Sequence, residues 1–298
     1  MNNRLFKPPM RLILNSRCNG KCKFCHSEGN EKSKEMPECI VEECINAAEK
    51  VAITQIALTG GEPTLRNDLS RIINKIKENK KIDVSLTTNG YKLEDISKSL
   101  VKPIDKINLS IFSLKKELAE EYQNVDPRRA LDALCSVPAI NKNLNIVVGE
   151  ENYLELDKFI KWGIRNSISL DLMFLDRKDQ KYKEIQKQII NGLINYFKGG
   201  EILLDVTSVL KIEMGEGCIL RIKSPFLSGL LHNGLCDVCK INERCFEKIC
   251  AVRVYPDGVV SPCLSRKICL DGANTYEKII NTYNHLQDMT IAGAFVGK

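Results

Sequence analysis

Short apolar runs rich in β-branched residues alternate with longer stretches of helical periodicity through the first two thirds of the chain, and that rhythm limits the fold more than any other feature. Strands are predicted at Arg11–Asn15, Thr54–Thr59, Asp83–Thr87, Lys106–Ile111, Leu144–Val148 and Ser169–Phe174. Between them, Ile40, Val41, Cys44, Ile45 and Ala48, and again Leu69, Ile72, Ile73 and Ile76, recur at the three- and four-residue spacing of one buried helical stripe. Strand–helix alternation of this kind builds a parallel sheet covered by helices. Six such units are two short of the eight that close a full barrel, so the expected fold is α/β, a partial (βα)6 TIM-like barrel.

A last helical face, Tyr182, Ile185, Ile189, Leu193 and Phe197, stops at Gly199-Gly200, which suits a left-handed cap. Beyond it cysteines, glycines and short strands take over. The chain therefore divides into a barrel at 9–200 and a small cysteine-rich carboxyl-terminal extension at 201–298, expected to cover the barrel mouth. At 43% hydrophobic and 28% charged residues, disorder and low complexity are excluded. No stretch reaches the roughly 18 to 20 apolar residues of a spanning helix, and the opening apolar segment is too short for a secretory signal, so a cytoplasmic protein without membrane contact is expected. Lys plus Arg at 44 against Asp plus Glu at 38 gives a net +6 that is spread along the chain, and aromatics are only 6%. A nucleic-acid binder would carry a basic stripe with interleaved aromatics, so this pattern weighs against one.

Thirteen cysteines is the abnormal count. An odd number in a chain of this size, read as cytosolic, points to metal or cluster ligation rather than to disulfides. Cys18, Cys22 and Cys25 form one knot, and Cys236, Cys239, Cys245, Cys250 and Cys263 form another. Cys39, Cys44, Cys135, Cys218 and Cys269 stand alone, and most of them read as inert buried thiols. Cys18-x3-Cys22-x2-Cys25 follows the first strand, in the loop where strand carboxyl ends present their ligands. Chance delivers that spacing somewhere in this chain with a probability on the order of 0.02. Three thiolates can hold three irons of a cubane and leave the fourth open to another ligand. A zinc knuckle completed by His26 is the competing reading.

Gly60-Gly61-Glu62-Pro63 ends the second predicted strand. Two glycines allow close approach to the backbone, the carboxylate is a charged acceptor, and proline fixes the exit, so the turn can take an α-amino group. A plain glycine-rich turn is the alternative. Both motifs fall on the same end of the same barrel.

With CNGKCKFC, TGGEP and the later LTTNG in hand, the sequence resembles the radical S-adenosylmethionine (SAM) superfamily over about residues 9–175. The resemblance implies that Cys18, Cys22 and Cys25 hold a [4Fe–4S] cluster whose open iron chelates SAM. It implies that Gly60, Gly61 and Glu62 contact the methionyl part, and that Thr88, Asn89, Ser110 and Asn145 line the SAM cleft. Phe24 stands where an aromatic residue commonly precedes the last cysteine. The implied chemistry is reductive cleavage of SAM to a 5′-deoxyadenosyl radical that abstracts a substrate hydrogen. A low-potential electron donor such as ferredoxin or flavodoxin is implied as partner.

CDVCKINERCFEKICAVRVYPDGVVSPC places five thiols within 28 residues, with strands predicted at Arg253–Tyr255 and Val259–Pro262 around Pro256-Asp257-Gly258. A zinc ribbon, buried cysteines and an auxiliary iron–sulfur cluster all fit such a hairpin. Within the superfamily this tail resembles the second-cluster region of the molybdenum-cofactor GTP cyclases and the SPASM or twitch domain of peptide maturases. The cyclase resemblance extends to RLILNSRC, GGEPTLR, TTNG and NLNIVV, and implies that Arg11, Arg66 and Arg253 stand near a small anionic, nucleotide- or purine-like substrate. It implies a second auxiliary [4Fe–4S] cluster on ligands drawn from Cys236, Cys239, Cys245, Cys250 and Cys263. The sequence departs from the cyclases in the Cys245-x4-Cys250-x12-Cys263 spacing, in the two extra thiols before it, in Ile111-Phe112-Ser113 and in SLDLMFLD. A maturase of a peptide, a sugar-modifying enzyme, and a non-catalytic iron–sulfur or zinc regulator stay open as alternatives.

Overall fold

A computed structural model describes residues 7–25, 35–175, 179–197, 202–204, 209–227, 239, 251–264 and 270–294. The alternating region forms β1 (Met10–Ile13), α1 (Glu38–Lys50), β2 (Gln55–Thr59), α2 (Leu69–Ile76), β3 (Asp83–Thr88), α3 (Leu93–Lys98) and β4 (Ile104–Ser110). It continues through α4 (Lys116–Gln123), α5 (Pro127–Ser136), β5 (Ala139–Val148), α6 (Leu156–Arg165), β6 (Ser169–Phe174) and α7 (Gln180–Tyr196). All six predicted strands form, in parallel and in sequence order.

Local chemistry explains several of the boundaries. Asp126 accepts from the Arg128 and Arg129 amides at 3.0 and 3.4 Å while Pro127 occupies the first turn, so α5 starts there. Asp179 caps α7 in the same way through the Lys181 amide at 2.9 Å. On β6, Leu170, Leu172 and Phe174 are buried against the helices, while Ser169, Asp171 and Met173 face the other way. The same period buries Ile107 and Leu109 on β4 and Leu144, Ile146 and Val148 on β5. The helix-facing side is thus a continuous apolar core, and the inner face is polar.

The described strands of the tail join the barrel's own sheet. β7 (Ile202–Leu204), β8 (Val209–Gly215) and β9 (Cys218–Lys223) extend the sheet beyond β6, with β9 parallel to β6 and the other two antiparallel. At the opposite edge β10 (Val252–Val254) pairs parallel with β1, and β11 (Val260–Ser261) pairs antiparallel with β10. α8 (Thr275–Ala294) lies against α1 on the outside, where Tyr283 donates to the Pro8 carbonyl at 2.9 Å. Among the described residues these strands make one eleven-stranded sheet. Of the isolated cysteines, Cys44 and Cys218 are buried as expected, whereas Cys39 and Cys135 are exposed; Cys269 lies outside the described residues. Among the described residues no helix is long and apolar enough to cross a membrane.

Candidate functional site

Beyond β1 the backbone keeps running beside β2. Leu14 donates to the Thr59 carbonyl at 2.7 Å, Gly61 to that of Asn15 at 2.8 Å, and Glu62 to that of Arg17 at 2.7 Å. The cysteine loop and the Gly-Gly-Glu turn are therefore zipped together, and this contact is what demands the glycines. A Cβ on Gly61 would lie 2.1 Å from the Arg17 carbonyl oxygen, and one on Gly60, where φ is +150°, would lie 2.5 Å from that of Asn15.

On its other side the cysteine loop rests on the end of α4. Lys21 and Lys23 donate to the Gln123 and Tyr122 carbonyls at 3.1 and 3.0 Å, and the Asn124 amide reaches Asn19 O at 2.9 Å. Gln123 is itself buried, accepting from the Phe112 amide at 3.0 Å and donating to Ser110 O at 2.8 Å. Phe24 stacks on Phe112, and Phe112 on Tyr122, with ring centroids 5.2 and 4.6 Å apart. This aromatic column flanks the last cysteine.

Cys18 and Cys25 are exposed and Cys22 is half-buried. Burial pushes the Cys22 thiol up to about 12, helped by the nearby charges of Cys25 and Cys18. The Cys18 thiol is raised as well, by burial and then by Glu62 and Cys25. Three soft thiols that repel one another as thiolates are a donor set suited to iron, whose positive charge removes the penalty. A cubane takes one thiol per iron, so its cysteines stand farther apart than those around a single ion. Among the described residues no three His, Cys, Asp or Glu side chains converge on one ion's position. His26 lies outside the described residues.

Glu62 sits at the centre of the turn, 1% exposed. Its Oε1 accepts from the Thr64 amide at 3.1 Å and from the Thr64 and Thr88 hydroxyls at 2.7 Å each, and its Oε2 from the Asn89 amide at 2.7 Å. Burial raises its pKa, against which these hydrogen bonds act. The carboxylate thus ties β2 to β3, and Asn89 in turn donates to Asn19 of the cysteine loop at 3.0 Å. Ser110 and Asn145 are register partners on β4 and β5, on the inner face of the sheet. Gly60, Gly61, Glu62, Thr88, Asn89 and Ser110 all lie at or just beyond strand carboxyl ends, around the cysteine loop.

Arg11 and Arg253 are also register partners, side by side on the inner face of β1 and β10. Arg66 corrects the expectation that placed it with them. It is 4% exposed and its guanidinium is spent on Leu14 O at 2.9 Å, Met36 O at 2.8 Å and both oxygens of Asp68 at 2.9 Å, so it ties together the chain before and after the cysteine loop. Of the second knot, Cys239 and Cys263 are half-exposed, and Cys263 follows directly on β11. Cys236, Cys245 and Cys250 lie outside the described residues. Asn19, Gln123, Phe112 and Tyr122 were not among the expected site residues; about a hundred residues separate α4 from the loop it holds, and no local pattern announces such a contact.

A partial barrel with three cysteines and a Gly-Gly-Glu turn at one end defines a class. The radical SAM superfamily matches residues 12–187, and this chain belongs to it. It is an enzyme of that superfamily, with the [4Fe–4S] cluster and SAM as cofactors. Among individual proteins it is similar to the probable GTP 3′,8-cyclase of Thermococcus kodakarensis, 33% identical over 270 residues that cover 86% of this chain and 84% of that one. The probable GTP 3′,8-cyclase of Sulfurisphaera tokodaii is 36% identical over 274 residues, 87% of this chain and 81% of that one. In fold, Streptococcus suis SuiB bound to S-adenosylmethionine superimposes with a TM-score of 0.65 at 18% identity, over 98% of this chain and 68% of that one. The anSMEcpe structure with bound AdoMet and a peptide gives 0.58 at 18% identity, over 95% and 82%.

Proposed function

We propose that Cys18, Cys22 and Cys25 hold the SAM-binding cluster, that Gly60, Gly61, Glu62, Thr88, Asn89, Ser110 and Asn145 hold SAM, and that the inner face beneath them binds a small anionic, nucleotide-like substrate. Bound together, cluster and SAM supply a hydrogen-abstracting radical by one-electron cleavage of SAM. The chain's own task is geometric. Glu62 fixes the turn, Gln123 and Asn19 fix the loop, and the Phe24–Phe112–Tyr122 column shields one side from water. Arg11 and Arg253 orient the substrate, since paired guanidinium forks suit phosphate oxygens. The observation that carries this reading is their register pairing on the inner face, and the similarity to GTP 3′,8-cyclases supports it. A second [4Fe–4S] cluster on thiols of Cys236, Cys239, Cys245, Cys250 and Cys263, a ferredoxin- or flavodoxin-type donor and a cytoplasmic location complete the proposal.

The test is anaerobic reconstitution with iron and sulfide, followed by dithionite, SAM and GTP. Formation of 5′-deoxyadenosine is expected, together with a GTP-dependent change in the auxiliary cluster's paramagnetic resonance spectrum that Arg253→Ala abolishes. SAM cleavage without a response to any purine nucleotide would overturn the substrate assignment.

A further inference from the structure

The inner face carries a second polar patch, away from the Arg11–Arg253 pair. Register places Asn108 beside Asn143, Asn145 beside Asp171, and Asp171 beside Arg221 of β9. Most of these groups satisfy one another. Arg221 donates through Nε to Asp171 and through Nη2 to Asn143 Oδ1 at 2.6 Å, and Asn143 donates to Asn145 Oδ1 at 2.8 Å.

Lys106 is the exception. It lies on the inner face of β4 beside Ser85, two residues before Asn108, with Asp171 and Arg221 as the charges that act on it. Its ammonium forms no hydrogen bond or ion pair with the described residues, and burial lowers its pKa below the usual lysine range. Asp171 is already shared with Arg221, so this patch holds two bases against one acid. Beside it, Asn108 Oδ1 is buried without a hydrogen-bond partner. The lysine is half-buried, and the unpaired buried carbonyl oxygen beside it is costly to leave without a donor.

We propose that Lys106 is a specificity-determining residue whose ammonium takes an oxyanion group of the substrate, a phosphate or a carboxylate, beside the Asn108 amide. The Arg221–Asp171–Asn143–Asn145 hydrogen-bond chain lines the neighbouring strands of the same face, where Asp171 is already paired with Arg221. The inference rests on the reading of the inner face as an anion pocket, and it adds the group that senses the anion on the β4 side. A lysine that merely hydrates itself there would be indifferent to ligand.

Titration calorimetry on the anaerobically reconstituted full chain, with SAM present, would use GTP, inorganic tripolyphosphate and citrate as probes, on wild type, Lys106→Met and Lys106→Arg. Thermal melting of each variant checks that it folds. At least one probe is expected to bind wild type, to bind Lys106→Met tenfold or more weakly, and to recover in part with Lys106→Arg. Lys106-dependent binding of GTP or tripolyphosphate names the oxyanion as phosphate, and of citrate alone as carboxylate, which keeps this inference while removing the nucleotide. Wild-type binding that Lys106→Met leaves unchanged overturns the inference alone. Binding of no probe by wild type overturns it together with the anion-pocket reading.

Discussion

At Gly61 a single methyl group decides whether the two halves of the site can meet. Alanine there would drive its Cβ into the Arg17 carbonyl, and the flexible partner that could yield is absent, because the obstacle is backbone. Gly61→Ala is expected to destabilise the protein by about 1–3 kcal/mol and to lower iron retained after reconstitution, read by urea melts and iron assay. The sequence suggested glycines that admit a ligand; the packed loop adds a second demand for them, the close approach of the chain's own backbone. Arg66 teaches the converse lesson. The cyclase resemblance implied it as a substrate contact, but its partners are Asp68 and two carbonyls that no spacing rule connects to it. The Arg66 guanidinium holds the Asp68 carboxyl below its ordinary pKa. That ion pair therefore stabilises fully above the unfolded carboxyl pKa and is lost as pH falls through the lowered native value. Asp68→Asn should accordingly lower stability at pH 7 and leave it nearly unchanged at the acid end, in urea melts taken across that range.

At the scale of elements, the strands were readable because each carries β-branched residues with an alternating polar face, and β4 shows why the reading was incomplete. Lys106, Asn108 and Ser110 share one face by simple alternation, yet alternation alone cannot say that this face looks into a lumen and meets Asp171 and Arg221. The β8–β9 hairpin also had its signal, a Gly215-Glu216-Gly217 turn whose three residues all take positive φ between two alternating runs. α4 offered no signal at all. Its last residue, Gln123, makes two buried hydrogen bonds to the backbone after β4 while its carbonyl receives the cysteine loop. Gln123→Leu leaves the Phe112 amide and the Ser110 carbonyl unpaired, at about 1–3 kcal/mol each. Faster hydrogen exchange at the Lys21 amide than in wild type is the expected consequence, and unchanged protection there would show that α4 does not hold the loop.

Across the whole molecule, the tail contributes to both edges of the sheet that carries the amino-terminal cysteines. β10 lies directly against β1, and Cys263 leaves β11 only one strand further out, so Cys263, among the described thiols of the second knot, is joined to the strand before the first knot through continuous backbone pairing. This connectivity was invisible in the sequence, where some 240 residues separate β1 from β10, and a parallel pairing at that distance has no local signature. It has a chemical consequence. If both knots bind iron, removing the first should leave the second intact, because β10 and β11 are held by β1's backbone and not by the cysteine loop. The triple variant Cys18→Ala, Cys22→Ala, Cys25→Ala is therefore expected to retain about four irons per chain after reconstitution, the stoichiometry of one cubane, while losing all SAM cleavage. Zinc in their place, measured by the same metal analysis, would reassign the tail as a structural ribbon; a variant that holds neither metal would mean that the second knot binds nothing on its own, and the auxiliary cluster would have to be withdrawn.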